Sequence, residues 1–476
     1  MFNWIQKRWA NRTSDNILRH GAIYFFFVGT TTIVNIAFRK YASVNLVIED
    51  YGVFTALLAF YAILAQPINV MQMVVTKNMA YYLGHGKTAD AAGYFKWVFK
   101  IFVLITLAGV ICLLAFSPLL REQYQLPTEF SILLIAVMFF LAGVANCCTG
   151  ALQAFQRFGA IGLINTLVSC IKVLSCYLLL HLFFGDIFPA PVAVSESLLY
   201  ATRISVGFLN RFDIPLLAIL IAMTALIVFS AFVLRKIMRG APALSGTLSA
   251  APDMPDMPNV PGGWRDRVYS LMREFLPIFI LLLIFSIIRN IDEYMARRFL
   301  SEFDNGLYGA LSTVAKSSIF FMTSIAFVTF PKFAAHADDP YVSRRLLYKS
   351  LLMGGSATLA FFVPILLFPD YLIQVLTHAK YLAAAPLLKY FYLAFIPYPF
   401  IFIFVHYFIV HRDWWYTLIL LCSLVLLAPA YEFYNGAIHE ILLVLGGTGY
   451  TILAFSLVYW LRRGRQPRTP EPNKEE

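Results

Sequence analysis

Runs of apolar residues, each about 20 long and separated by short clusters of charge, proline or glycine, recur along the whole chain. They fall near 20–38, 52–75, 97–116, 130–151, 160–182, 212–234, 271–290, 308–330, 346–368, 383–410, 416–431 and 441–461. A helix of about 20 apolar residues crosses a hydrocarbon core of about 30 Å. The pattern therefore predicts an all-α polytopic membrane protein of about 12 transmembrane helices. Within these spans, polar residues return at helical spacing: Thr31, Asn35 and Arg39; Gln66, Asn69, Met73 and Thr76; Ser312, Lys316 and Thr323; and Arg289, Glu293 and Arg297 leaving the seventh span. The Gln66-Pro67 pair predicts a kink in the second span.

Composition agrees and excludes a soluble core, since 60% of the 476 residues are hydrophobic and only 13% charged, too few to coat so many apolar elements. The formal net charge of +11 is a topology signal, not a nucleic-acid footprint. With the termini inside, 24 lysines and arginines fall on the inner side, against eight outside: Arg39, Lys40, Arg121, Arg203, Arg211, Arg297, Arg298 and Lys380. Basic loops face the cytoplasm, so both termini are expected there, in the cell (inner) membrane. Arg39 and Lys40 then stand on the unexpected side and require a reason.

The chain divides by composition. Residues 1–19, with Trp4, Trp9, Lys7, Arg8, Arg12 and Arg19, read as a cytoplasmic interfacial segment and not a cleaved signal. Six spans over 20–239 are separated from six over 264–461 by a Pro-, Ala-, Gly- and Ser-rich cytoplasmic linker, 240–263, and residues 462–476 form a basic tail. The halves repeat. Lys40 and Arg297 are each followed, after ten residues that carry an acidic turn (Glu49 and Asp50; Glu302 and Asp304), by a Tyr-Gly that opens the next helix. Short basic turns at Arg157 and Arg412 match at a similar offset. Each half holds an even number of spans, so the two lobes share one orientation and their pseudo-two-fold axis runs along the membrane normal. The acids before each Tyr-Gly read as helix-start residues favoured by the macrodipole. Six cysteines, all within spans, give no disulfide or metal-ligand spacing.

"DYGVFTALLAF", "GALQAFQRFGAIGLIN" and "NGLYGALSTVAKSSIFFMTSIAFVTFPKFAAHA" resemble the corresponding stretches of polysaccharide-biosynthesis membrane proteins, the O-antigen-type lipid-linked oligosaccharide flippases of the multidrug/oligosaccharidyl-lipid/polysaccharide (MOP) exporter superfamily. The resemblance covers about residues 15–460 through diffuse motifs. It implies a MATE-like V-shaped pair of six-helix lobes, alternating access, and a central cavity lined mainly by the first two spans of each lobe. It also implies a polyprenyl-phosphate-type, lipid-linked oligosaccharide as the substrate. Glycosyltransferases and a polymerase of the same pathway are its expected partners; no enzymatic activity, cofactor or metal is expected.

A charge at the bilayer centre costs roughly 2.5–3.5 kcal/mol on insertion scales, so a buried cation there faces water or an anion. A pyrophosphate on a lipid is such an anion, suited to a guanidinium fork and an ammonium point charge. The substrate-binding candidates are Arg39, Lys316, Lys40, Arg297, Asn35, Gln66, Lys172 and Arg289. Each has a second reading. Arg39 and Lys40 could snorkel to outer headgroups, Arg289 and Arg297 could pair with Asp292 or Glu293, and Lys172 could bond between helices. A multidrug or cation antiporter of the same superfamily would use an intramembrane carboxylate, and here the nearest acids, Asp213 and Asp292, are expected at span ends. A membrane glycosyltransferase or polymerase would use Glu49 and Asp50 on the outer face. The topology carries one prediction: Ala250→Cys should resist an impermeant maleimide added outside intact cells, and efficient labelling would reverse the assignment.

Overall fold

The computed structural model describes residues 26–84, 87–184, 209–239, 264–319, 329, 333, 339–411, 413–434 and 436–463. The interfacial segment, the linker, most of the expected outer segment 183–211, Thr323, Arg412 and most of the basic tail lie outside them. The first lobe consists of α1 (26–45), α2 (Ile48–Leu64), α3 (Gln66–Gly84), α4 (Thr88–Ala115), the short α5 (Ser117–Gln123), α6 (Phe130–Ala154), α7 (Phe158–Phe184) and α8 (Asp213–Arg239). The second has α9 (Trp264–Phe299), α10 (Glu302–Ala315), α11 (Pro340–Leu367), the short α12 (Pro369–Leu376), α13 (Ala385–Phe395), α14 (Pro397–Val410), α15 (Trp414–Phe433) and α16 (Ile438–Arg463).

Among the described residues nine helical segments are long and apolar enough to cross a membrane, and the bent pair α2–α3 makes a tenth. Helices α1 and α10 stand where the first and eighth spans are expected. The fold is thus all-α and multi-pass, with six span positions on each side of the linker.

Local chemistry explains the breaks. The second span bends by 41° between α2 and α3, where Pro67 lacks the N–H that would continue the ladder. Beside the break Gln66 Nε2 donates to Ala62 O at 3.0 Å. The tenth span is likewise split, into a 3₁₀ segment Ala379–Ala384, α13, and α14 opening at Pro397. Glu49 and Asp50 occupy the first turn of α2, and Glu302 and Asp304 that of α10, where the macrodipole favours them. Ser301, Asp339 and Asp413 cap α10, α11 and α15 by accepting backbone N–H bonds. Two boundaries differ from the sequence pattern. Helix α9 runs on through the charged stretch to Phe299, and α10 begins at Glu302 and passes at Lys316 into a 3₁₀ turn.

Helix α6 packs on α3, α4 and α8, and in the other lobe α16 packs on α13, α14 and α15. Large apolar side chains such as Leu182, Leu426 and Phe433 remain exposed, as a hydrocarbon solvent allows. The lobes meet along α2 and α10, with α9 against α2 and α3. Close approach there depends on the glycines of the repeat. A Cβ on Gly52 would lie 2.7 Å from Gly306 N, and one on Gly306 would fall on the Ile48 carbonyl oxygen.

Inside the first lobe Gly150 plays the same part, since a Cβ there meets Gln72 O at 3.0 Å. Gly150→Val should destabilise the protein by about 1–3 kcal/mol in thermal unfolding of the detergent-solubilised chain. Gly447→Ala, with nothing within 4 Å of its new methyl, should be close to neutral.

Candidate functional site

Helix α10 is buried from Asn305 to Ala315, so each polar group it carries must find a partner on a neighbouring helix. Tyr308, Ser312 and Lys316 follow one another at i, i+4 and i+8 and face α9. Tyr308 Oη donates to Asp292 Oδ2 at 2.7 Å, and Ser312 Oγ donates to Glu293 Oε1. Lys316 Nζ lies 2.9 Å from both Asp292 carboxylate oxygens, 3.0 Å from Glu293 Oε1 and 3.3 Å from Arg289 O. The ammonium is surrounded by two carboxylates and a carbonyl, which is what a charge needs to persist in so dry a place.

The neighbouring residue Thr313 faces the other lobe. Its Oγ1 receives Arg39 Nη1 at 3.2 Å and sits 2.9 Å from Tyr51 Oη. Of the tyrosines of the repeated Tyr-Gly, Tyr51 thus reaches α10 from α2, and Tyr308 reaches α9 from α10.

The polar stripe of α1 reaches outward at every step. Thr31 Oγ1 meets Thr166 Oγ1 at 3.0 Å, Asn35 Oδ1 accepts from Lys172, and Arg39 crosses to Thr313. Lys172 also lies over the Phe38 ring, 4.6 Å from its centroid. In the second span Asn69 accepts from Asn146, while Thr76 donates to α6, so this stripe serves packing within the first lobe.

The eight candidates thus divide. Lys316, Lys172, Arg297, Asn35 and Gln66 are committed to protein partners; Arg297 is buried and donates to Tyr124 O and Gln125 O, each at 3.0 Å. Arg39, Lys40 and Arg289 are half-buried with donors to spare. Arg39 makes one side-chain hydrogen bond. Lys40 makes none among the described residues. Arg289 lies 5.7 Å from the Phe285 ring centroid, near Asp292 and Glu293. Outside the spans, burial and the nearby Lys380 and Lys40 lower the pKa of His378 from its ordinary value. The imidazole therefore stays neutral at pH 7, and its Nδ1 accepts from Lys380 N at 3.3 Å.

Asp292 and Glu293, read from the sequence as lying at the end of the seventh span, are 0% and 8% exposed, both within α9, which continues past them to Phe299. The cluster of charge after Arg289 resembles a loop in sequence. The helix simply continues, because Tyr308, Ser312 and Lys316 supply the partners. Tyr51, Tyr308, Thr313 and Asp292 were not singled out as site residues, although the repeated Tyr-Gly pointed to the two tyrosines.

No family model matches the chain, and no curated protein does. Solved structures do. An inward-facing multidrug-resistance MATE-family transporter of the MOP superfamily aligns at TM-score 0.65 and 12% identity, over 94% of this chain and 100% of its own. The fold is that of the MOP transporters. A MOP superfamily transporter from Pyrococcus furiosus, described by the reverse polarity of its binding pocket, aligns at TM-score 0.63 and 14% identity over 94% and 95%. The lipid II flippase MurJ, in an inward closed conformation, aligns at 0.59 and 12% over 94% and 88%.

The ion cluster makes a testable stability prediction. Lys316→Met leaves two buried carboxylates without their cation and should cost about 3–5 kcal/mol in unfolding of the solubilised protein. Adding Asp292→Asn and Glu293→Gln should restore most of that loss.

Proposed function

We propose that this protein is a flippase. It would carry a lipid-linked oligosaccharide on a polyprenyl-phosphate-type carrier from the cytoplasmic to the outer leaflet, through alternating access between its lobes, with both termini and the linker cytoplasmic. The observation that carries the reading is Arg39, a half-buried guanidinium at the seam between the lobes that uses one N–H on Thr313 and keeps the rest for a ligand. Lys40 beside it and Arg289 across the seam are further cations with no side-chain hydrogen bond among the described residues. A diphosphate would take the fork of Arg39, with Lys40, the next residue of α1, adding charge.

The structural likeness to a lipid II flippase fits a lipid-linked anion, and the pathway's glycosyltransferases and polymerase would then be its functional partners. On this reading the carboxylates of Asp292 and Glu293 together offset Lys316 and Arg289, so that the uncompensated positive charge sits toward α1.

A multidrug or cation antiporter is the second reading. Two observations favour it: the buried Asp292 and Glu293, and the multidrug transporters among the similar structures. It ranks second because Lys316 already occupies both carboxylates. For a sugar-transferring enzyme, Glu49 and Asp50 would be the acids, and they serve instead in the first turn of α2, with Asp50 buried.

Reconstituted in proteoliposomes with a fluorescent polyprenyl-diphosphate oligosaccharide, the protein should expose the glycan on the opposite leaflet. Arg39→Ala should abolish this, and Arg39→Lys should keep part of it, since charge survives without the fork. Wild-type flipping by Arg39→Ala at matched reconstitution would remove Arg39 from the site. Drug efflux without glycan flipping would favour the second reading.

A further inference from the structure

Two sets of hydrogen bonds cross between the lobes at the end of the bundle where α1 and α9 finish, and both use the open C-terminus of a helix. Helix α5 closes with Gln125 at φ 48°, Gln125 N bonding Glu122 O at 3.1 Å and Leu126 N bonding Arg121 O at 2.9 Å. Such a turn satisfies the carbonyls further back and leaves the last ones pointing out. Tyr124 O and Gln125 O are those two, and Arg297 of the second lobe takes both. Beside it Tyr294 Oη donates to Gln123 Oε1 at 2.9 Å.

The second crossing is at the end of α1. Lys380 Nζ donates to Val44 O at 3.1 Å and to Leu46 O, and Tyr381 Oη donates to Ser43 O at 3.3 Å.

The two crossings are related by the repeat. Tyr124 and Tyr381 are 257 residues apart, as are Lys40 and Arg297, and Tyr51 and Tyr308. In each crossing the end of one lobe's first span meets the segment after the other lobe's third span. The cation sits on the span end in one case and on the opposing segment in the other, so both cations come from the second lobe and both acceptors from the first.

We infer that Arg297 and Lys380 form a paired latch that holds this end of the transporter shut and is undone when it opens. A cation at a helix C-terminus gains from the orphan carbonyls and from the negative end of the dipole. The hydrogen-bond acceptors are neutral carbonyls. On separation the carbonyls and the cations return to water, at less cost than pulling apart an ion pair whose two members bond each other in the interior. Glu302, 3.9 Å from Arg297 and on the same lobe, stays with that cation in both states, whereas Glu49 and Asp50 of the first lobe lie near Lys380 and favour the closed seam. Between the crossings Gly52 and Gly306 bring α2 and α10 into backbone contact, so release of the latch parts that seam.

Asn305, 2% exposed and packed on Gly52, reports the seam. The test uses Asn305→Cys in the full-length chain with its six native cysteines replaced by alanine or serine. The purified protein is held in lipid nanodiscs, where a maleimide reaches both faces, and no substrate is present, so the outcome is independent of what the protein carries and of which face is cytoplasmic. Arg297→Ala with Lys380→Ala should speed labelling about tenfold, each alanine alone less. Arg297→Lys should stay nearer the parent than Arg297→Ala, and Gly306→Leu, which wedges the seam directly, marks the fast limit. Parental labelling in the double variant overturns the latch. If the double alanine protein is not monodisperse, Arg297→Gln with Lys380→Gln takes its place under the same two outcomes.

Discussion

Lys316 can stand inside a membrane protein because Asp292 and Glu293 face it from α9 and because Ser312 and Tyr308, one and two turns back along α10, each donate to one of these carboxylates. In hydrocarbon there is no water to finish an incomplete set of partners, so this network must close on itself or the helices cannot pack. Much else depends on its closure. It fixes the rotation of α10 about its own axis, which turns Thr313 toward Arg39 and Tyr51 and brings Gly306 against the backbone of α2. One buried cluster in the second lobe thereby positions the contact between the lobes.

The division of labour among the cations follows from the same constraint. Those with a full set of protein partners, Lys316, Lys172 and Arg297, act as fixed parts of the scaffold in this conformation. Arg39 is the exception on α1: its neighbours in the stripe, Thr31 and Asn35, are spent on α7, while its guanidinium reaches only one hydroxyl. A group with several strong donors and one partner at the boundary between the lobes is suited to an anionic headgroup, and a helix seam closed by glycines and by cation-to-carbonyl bonds is suited to repeated opening. On the proposed function and latch, binding and gating would rest on different chemistry a few turns apart.

A good part of this was legible beforehand, for reasons that operate within one helix. The bend at Gln66-Pro67 needs only the missing proline N–H; the acids that begin α2 and α10 need only the dipole of their own first turn. The alignment of Ser312 with Lys316, and of Asn35 with Arg39, needs only 3.6 residues per turn. The repeat was visible as a spacing, and the pairing of Tyr124 with Tyr381 extends it at the same interval of 257 residues.

What the chain alone determined, then, is that it spans a membrane many times, in two like halves, with cations in places where cations are costly. Only the tertiary structure decided which of those cations are free. Asp292 reads as loop charge until Tyr308 and Lys316 are brought against it, and Arg297 reads as a cavity cation until the end of α5 offers it two carbonyls. The physical reason is that a buried charge is defined by the groups around it, and those groups come from segments far apart in sequence: residues 124 and 297 in one case, 39 and 313 in another. Helical periodicity assigns a side chain to a face; what waits on the other side of that face is set by how the two lobes close.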